Sequence, residues 1–174
     1  NRTEWTDDEG RHSADYNDQD QLEVVRREID LPDGGFVEEV TNYAYDENGA
    51  LARKEVDPPG AGPSATTNYT YDAFGNLTKV VLPDNTRIEY EIDGLNRRVG
   101  KRVNGAVVAR WVWEGQYRIV AQLAADGSRV FTFGYADGVN TPEMVIHHTE
   151  DGSYVYRLAK DHLGTVRAII DNDL

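Results

Sequence analysis

Tyr71-Asp72-Ala73-Phe74-Gly75-Asn76-Leu77 is a phrase that the chain repeats. Upstream it reads Tyr45-Asp46-Glu47-Asn48-Gly49-Ala50-Leu51, and earlier, in eroded form, Tyr16-Asn17-Asp18-Gln19-Asp20-Gln21-Leu22. Downstream, Ile92-Asp93-Gly94-Leu95-Asn96-Arg97-Arg98 keeps the frame without the tyrosine. The first residues of these phrases stand 29, 26 and 21 positions apart. Recurrence at this period marks one supersecondary unit stacked on copies of itself. Within a phrase, the Asp can accept backbone amides two or three residues on, and Gly or Asn can take the left-handed conformation. The Leu two residues after the Gly then returns to the core. Each phrase therefore reads as a corner, at Asp46 to Gly49, Asp72 to Gly75 and Asp93 to Asn96. Asp20 in place of Gly and Ile92 in place of Tyr set the first and fourth copies apart from the other two.

Strand patterns lie between the corners. Ile88, Tyr90 and Ile92 alternate with Arg87, Glu89 and Glu91; Phe131, Phe133 and Tyr135 share one face, as do Tyr154, Tyr156 and Leu158. Period two with β-branched and aromatic enrichment is the half-buried strand pattern. Leu22 to Ile29 reads as strand because of its Val-Val centre and flanking turn residues. A second set of turns sits at Pro32-Asp33-Gly34-Gly35, Pro83-Asp84-Asn85, Asn104-Gly105, Asp126-Gly127 and Asp151-Gly152. Asn-Gly and Asp-Gly predict two-residue type I′ hairpins there. The two sets alternate, so corners line one edge of a ribbon and tips the other. The expected fold is all-β, an antiparallel meander of a dozen or more strands that twists into a strongly curved sheet. Asp57-Pro58-Pro59-Gly60-Ala61-Gly62-Pro63-Ser64 stands where a tip belongs and predicts an exposed loop open to insertion or nicking.

Composition narrows the function. The chain has 174 residues, with 31 acidic against 18 basic side chains and a formal net charge of −13. That balance argues against nucleic-acid phosphates or an anionic membrane as partner. Without cysteine there is no disulfide or thiolate metal site. No apolar run approaches the ~18 residues of a membrane-spanning helix, so no membrane insertion is expected. No secretory signal is visible, and the chain, starting at Asn1, reads as a piece of a longer array.

Candidate chemistry is sparse. Asp161 beside His162 suggests an acid–base pair, but both read first as a tight turn. His147-His148 offers two imidazoles, yet neighbours on a strand point to opposite faces and cannot share an ion. The Asp-Gly tips, and the clusters Asp7-Asp8-Glu9 and Asp15 to Asp20, provide too few oxygens for a calcium loop. Trp111 and Trp113 share a strand face and read as inward packing; together with Tyr117 they also offer surface on which a sugar could stack. No catalytic, cofactor or metal site is expected.

The tail Tyr156-Arg157-Leu158-Ala159-Lys160-Asp161-His162-Leu163-Gly164-Thr165-Val166-Arg167-Ala168-Ile169-Ile170-Asp171 resembles the core signature of the Rhs/YD-repeat family. Arg97, Trp113, Tyr117-Arg118 and Phe133-Gly134-Tyr135 to Pro142 resemble the segment before that signature. The resemblance divides the chain into a flank over 1–15, YD repeats over 16–96 and a core-like region over 97–174, with no self-cleavage motif before Leu174. It makes Tyr45, Asp46, Gly49, Leu51, Tyr71, Asp72, Gly75, Leu77, Asp93, Asn96, Asp161, His162, Gly164 and Arg167 structural turn residues. It implies a non-enzymatic segment of a β-cocoon in a secreted or cell-surface bacterial protein. The implied partners are neighbouring repeats and a linked C-terminal toxin or effector. The other reading is a cell-surface adhesion or carbohydrate-binding repeat module. A piece of such a sheet has open edges that invite pairing with another copy.

Overall fold

A computed structural model describes residues 3–136 and 140–171. Residues 1–2 of the flank, and 137–139 and 172–174 of the core-like region, lie outside the described residues. Among those described, all regular structure is β. The chain divides into two compact units, Asn1–Arg87 and Ile88–Leu174.

The first unit is an antiparallel meander in chain order: β1 (Glu4–Asp7), β2 (Gly10–Tyr16), β3 (Leu22–Asp30), β4 (Phe36–Tyr45), β5 (Leu51–Asp57), β6 (Ala65–Tyr71) and β7 (Leu77–Val81). The predicted flank already contributes β1 and most of β2. Register places Ala14, Val25, Thr41, Val56 and Ala65 in one row across the unit. Alternation puts Tyr43, Tyr45, Tyr69 and Tyr71 on that same face, with Tyr69 opposite Val80. Burial, and then the neighbouring tyrosines, raise the Tyr43 and Tyr71 phenols. The opposite face is charged, as in the row Arg11, Glu28, Glu38.

The second unit repeats the plan. β8 (Arg87–Ile92) opens it, followed by β9 (Arg98–Val103), β10 (Ala106–Glu114), β11 (Arg118–Leu123), β12 (Arg129–Gly134), β13 (Met144–Thr149), β14 (Gly152–Lys160) and β15 (Val166–Asp171). Trp111, Gln122, Phe131, His147 and Tyr154 form a cross-strand row on one face. Phe133, Val145 and Tyr156 form another row on that face.

Among the described residues neither unit has a second layer, and strands touch only their chain neighbours. The buried apolar residues are small or medium (Ala14, Val80, Ala109, Ala121 and Val145), and no large described side chain is below 2% exposed. The core of each unit is therefore the thickness of one sheet.

Candidate functional site

The corners follow one backbone plan. In each, the amide of the first residue donates to the carbonyl of the fifth, and the amide of the fourth donates back to the carbonyl of the first: Asp46 with Ala50 (2.8 Å) and Gly49 (3.0 Å), and Asp72 with Asn76 (3.0 Å) and Gly75 (3.1 Å). The fourth residue must be left-handed, and φ is 82° at Gly49 and 81° at Gly75. Asp20 (61°) and Asn96 (59°) adopt the same conformation, so the first and fourth phrases make the same corner without glycine. The tail block is a fifth corner, with Gly164 at 83°.

The Asp at the corner's first position organises the turn. Its Oδ1 accepts the amides of the third and fifth residues at 2.9–3.0 Å in Asp46, Asp72, Asp93 and Asp161. Asn17 does the same through its own Oδ1. Oδ2 then takes a side-chain donor: Asn76 at Asp72 (2.9 Å), Arg97 at Asp93 (2.8 Å) and Arg167 at Asp161 (2.8 Å). The Asn76 side chain holds Asp72 below the usual carboxylate range, and Arg97 does so for Asp93. At Asp161 burial pushes the other way, but the donors from Thr165, Arg167 and Leu163 outweigh it.

Before each corner the register slips by one residue, at Asp15/Tyr16, Ala44/Tyr45, Thr70/Tyr71, Glu91/Ile92 and Ala159/Lys160. The slip is a β-bulge, which sharpens local twist. It explains the constant spacing: Tyr16 faces Leu22, Tyr45 faces Leu51 and Tyr71 faces Leu77. Beyond the last ladder pair, aromatic side chains take over from the backbone. The Tyr45 hydroxyl donates to the Leu22 carbonyl (2.8 Å), Trp113 Nε1 to Arg98 (2.9 Å) and the Tyr135 hydroxyl to Ile119 (2.9 Å). Neighbouring corners are also tied together. Gln21 donates to the Gly49 carbonyl (3.2 Å) and Gln116 to the Leu95 carbonyl (2.8 Å), while Arg97 Nη1 donates to the Gly115 carbonyl.

The opposite rim differs from the expected type I′ tips. Only Asn104-Gly105 is such a turn, with both residues at positive φ (49° and 83°). Leu31–Gly35, Leu82–Thr86 and Ala124–Ser128 use the corner's backbone plan instead. Here Asp33, Asp84 and Asp126 sit at the third position and accept the amide two residues on, with no second backbone amide. Pro or Ala at the second position favours the helical conformation there, which leaves the positive φ to the fourth residue, Gly34, Asn85 or Gly127. At β13–β14 the loop is Glu150-Asp151, because Thr149 already pairs with Gly152. The 58–64 stretch is a loop exposed from Pro59 to Ser64, anchored where Ser64 Oγ meets the Asp57 carboxylate.

The chemical candidates dissolve into this scaffold. The Asp161 carboxylate is engaged by Leu163, Thr165 and Arg167, while His162 is exposed at the corner's second position. His147 stacks on Phe131 (4.8 Å), whereas His148 turns to the other face between Thr132 and Ser153, both at 2.9 Å. No group of three or more potential metal ligands exists among the described residues. Trp113 is committed to Arg98; Tyr117 is 71% exposed in the β10–β11 turn. In the first unit an open cavity of about 360 Å³ is lined by Glu4, Thr6, Arg11, Arg26, Glu28 and Glu38. Arg11 pairs with Glu28 (2.9 Å) and Arg26 with Asp15 (2.6 Å), so both lining arginines are engaged by carboxylates.

Reading the sequence alone missed Asn17 as a stand-in for Asp, the aromatic donors and the links between corners. The Tyr-to-Leu interval of six residues was the available signal for the bulge.

Known proteins share this plan. The family described as Teneurin YD-shell matches residues 2–174. Two proteins of Dickeya dadantii (strain 3937), named probable deoxyribonuclease RhsB and probable deoxyribonuclease RhsA, are each 40% identical over 76 residues, which is 43% of this chain and 5% of theirs. A TcdB2-TccC3-Cdc42 crystal structure superposes with a TM-score of 0.54 at 14% identity, over 97% of this chain and 11% of that one. The chain thus spans a small part of each relative. The match to the YD-shell family over nearly its whole length, on a meander of YD corners, shows that this chain belongs to the Rhs/YD-repeat family.

Proposed function

We propose that this chain is a non-catalytic wall segment that helps to enclose a linked C-terminal toxin or effector in an exported bacterial Rhs-type protein. The observation that carries the reading is the single layer. Two units of unbacked sheet each gather aromatic side chains in cross-strand rows on one face. A soluble domain buries its apolar face against a second layer. A wall does not, because its apolar face looks into an enclosed space. Turns on both rims whose organising Asp accepts backbone amides, at Asp46, Asp72, Asp93 and Asp161 and at Asp33, Asp84 and Asp126, suit a part whose task is shape. In this reading residues 16–96 are repeats, 97–174 the core-like region, and the turn residues are structural throughout. The deoxyribonuclease activity for which the Dickeya proteins are named would belong to regions that this chain does not match.

The test uses the protein expressed from its complete reading frame. A domain encoded after Leu174 should resist protease while the wall is intact. It should become sensitive when corners are broken by Gly49→Val and Gly75→Val together. A downstream domain cut equally fast in both proteins, or a reading frame that encodes none, overturns the proposal.

A further inference from the structure

We propose that Asn104 is a site of spontaneous deamidation: the Gly105 amide closes a succinimide on the Asn104 side chain, and water opens it to aspartate or isoaspartate. The sequence holds two Asn-Gly pairs, Asn48-Gly49 and Asn104-Gly105. Such pairs favour ring closure, because the attacking amide belongs to a residue with no Cβ to crowd the ring. As dipeptides the two are identical, so any difference between them comes from the fold. The inference is independent of the wall reading, since it concerns two turns alone.

The step needs only water and hydroxide. Hydroxide removes the Gly105 amide proton, and the nitrogen attacks Asn104 Cγ. The N–Cγ bond forms and the Cγ–Nδ2 bond breaks. Ammonia leaves, taking a proton from water and regenerating hydroxide. Water then adds to either carbonyl of the five-membered ring. Opening at one carbonyl gives aspartate, and opening at the other leads the main chain through Cβ, as isoaspartate. Nothing is oxidised or reduced: water is consumed and ammonia released. Both products place a new negative charge at the tip. Isoaspartate also lengthens the main chain within a two-residue type I′ turn, which depends on positive φ at both of its central residues. The Val103–Ala106 pair that closes the turn should then open.

Both asparagines are exposed, so exposure does not separate them. Hydrogen bonding does. The attacking N–H must be released to solvent, and the loop must be able to rotate until that nitrogen meets Cγ. At the corner the Gly49 amide donates to the Asp46 carbonyl (3.0 Å), and the Asn48 amide donates to Asp46 Oδ1 (2.9 Å). The Gly49 carbonyl accepts from Gln21 Nε2 (3.2 Å), which reaches it from the neighbouring corner. The Asn48-Gly49 pair is thus tied on both sides of its peptide bond. At the tip, Asn104-Gly105 is the loop between β9 and β10. Among the described residues the Gly105 amide donates to no backbone carbonyl. Beyond its chain neighbours, no atom lies within 4 Å of the place a Gly105 Cβ would take. Asn104 holds φ at 49°, a conformation strained for an L side chain, so less is lost when the turn rotates out of it.

Peptide mapping tests it. Folded protein is aged at mildly alkaline pH and digested, and the peptides carrying Asn48 and Asn104 are followed by mass spectrometry, with a urea-unfolded sample alongside. In the folded protein Asn104 should convert about tenfold faster than Asn48, the effect of one or two net hydrogen bonds that only Asn48-Gly49 keeps. In urea the two rates should converge. Asp46→Ala should raise the rate at Asn48 and leave Asn104 unchanged. In the isoaspartate fraction the Ala106 amide should exchange faster than in unaged protein. Asn48 converting as fast as Asn104 in the folded state overturns the proposal, as does an Asn104 that converts only in urea. A tenfold gap that persists in urea would place the preference outside the fold. That result, an Asn48 rate unmoved by Asp46→Ala, or unchanged exchange at Ala106 also overturns it.

Discussion

Each unit turns its chain on two rims, and the rims differ in where they keep their carboxylate. On the corner rim Asp72 stands first in the turn and gathers the Phe74 and Asn76 amides as well as the Asn76 side chain. On the tip rim Asp126 stands third and gathers the Ser128 amide and hydroxyl. The backbone is the same, with φ of 81° at Gly75 and 88° at Gly127. One corner geometry can thus be specified from either end. The version led from the first residue ties down more of the loop, and it is the version that the chain repeats. The rims also differ at the apex. The third corner residue is apolar and exposed at Phe74 (81%), Leu95 (53%) and Leu163 (79%), positions that the tip rim gives to Asp33, Asp84 and Asp126.

Acid should erase the distinction, with the largest effect. Asp72 and Asp93 are held low by side-chain donors, Asp84 by the Thr86 amide and Asp126 by Ser128; donors also outweigh burial at Asp161. A depressed carboxylate contributes stability that is full above its unfolded pKa of about 3.9 and is lost as pH falls through its folded value. Melting temperature should therefore hold from neutrality to about pH 4 and drop steeply below it. Asp72→Asn should flatten that drop more than Asp126→Asn. Equal flattening would mean that the two placements are energetically alike.

Replacing the left-handed glycine should affect both rims alike, because their backbones agree. Gly75 and Gly127 have open space where a Cβ would go, so the cost is conformational. Gly75→Val and Gly127→Val should each cost at least about 1–2 kcal/mol in urea denaturation. A much larger loss at Gly75 would show that the corner rim holds its backbone more tightly than the tip rim does.

The comparison also shows what was readable in advance. The corner was legible because its Asp, Gly and Leu recur at fixed spacing, and the strands because Phe131, Phe133, Tyr154 and Tyr156 keep a strict period of two. The tips were misread because Asp-Gly fits both a two-residue type I′ turn and a three-residue turn that ends in a left-handed glycine. The residue before the Asp decides between them, since Pro83 or Ala125 can take the helical second position. The aromatic donors were illegible for another reason. Tyr45, Trp113 and Tyr135 act on carbonyls 23, 15 and 16 residues away, and those distances follow from hairpin length rather than from any local pattern.

Those donors supply the next test. Tyr45→Phe removes only the hydroxyl and leaves the Leu22 carbonyl without that partner, which should cost about 1 kcal/mol. Tyr135→Phe should cost about the same at the Ile119 carbonyl. Faster amide exchange confined to the start of β3 in Tyr45→Phe would place the effect at the corner, and exchange that rises throughout the unit would refute a local role.

The smallest effect should come from the corner that departs from the phrase. Asp20 holds φ at 61° without being glycine, in a turn that Asn17 serves through an amide oxygen rather than a carboxylate. An L side chain in that conformation carries a strain that glycine does not. Asp20→Gly should therefore stabilise the first unit, by up to about 1 kcal/mol. Asn96→Gly should gain less, because Asn tolerates the left-handed region better than most residues do. If Asp20→Gly instead destabilises the unit, then the Asp20 side chain contributes more through its interactions than its backbone loses to strain. The repeat would then specify its corners by more than the phrase that first revealed them.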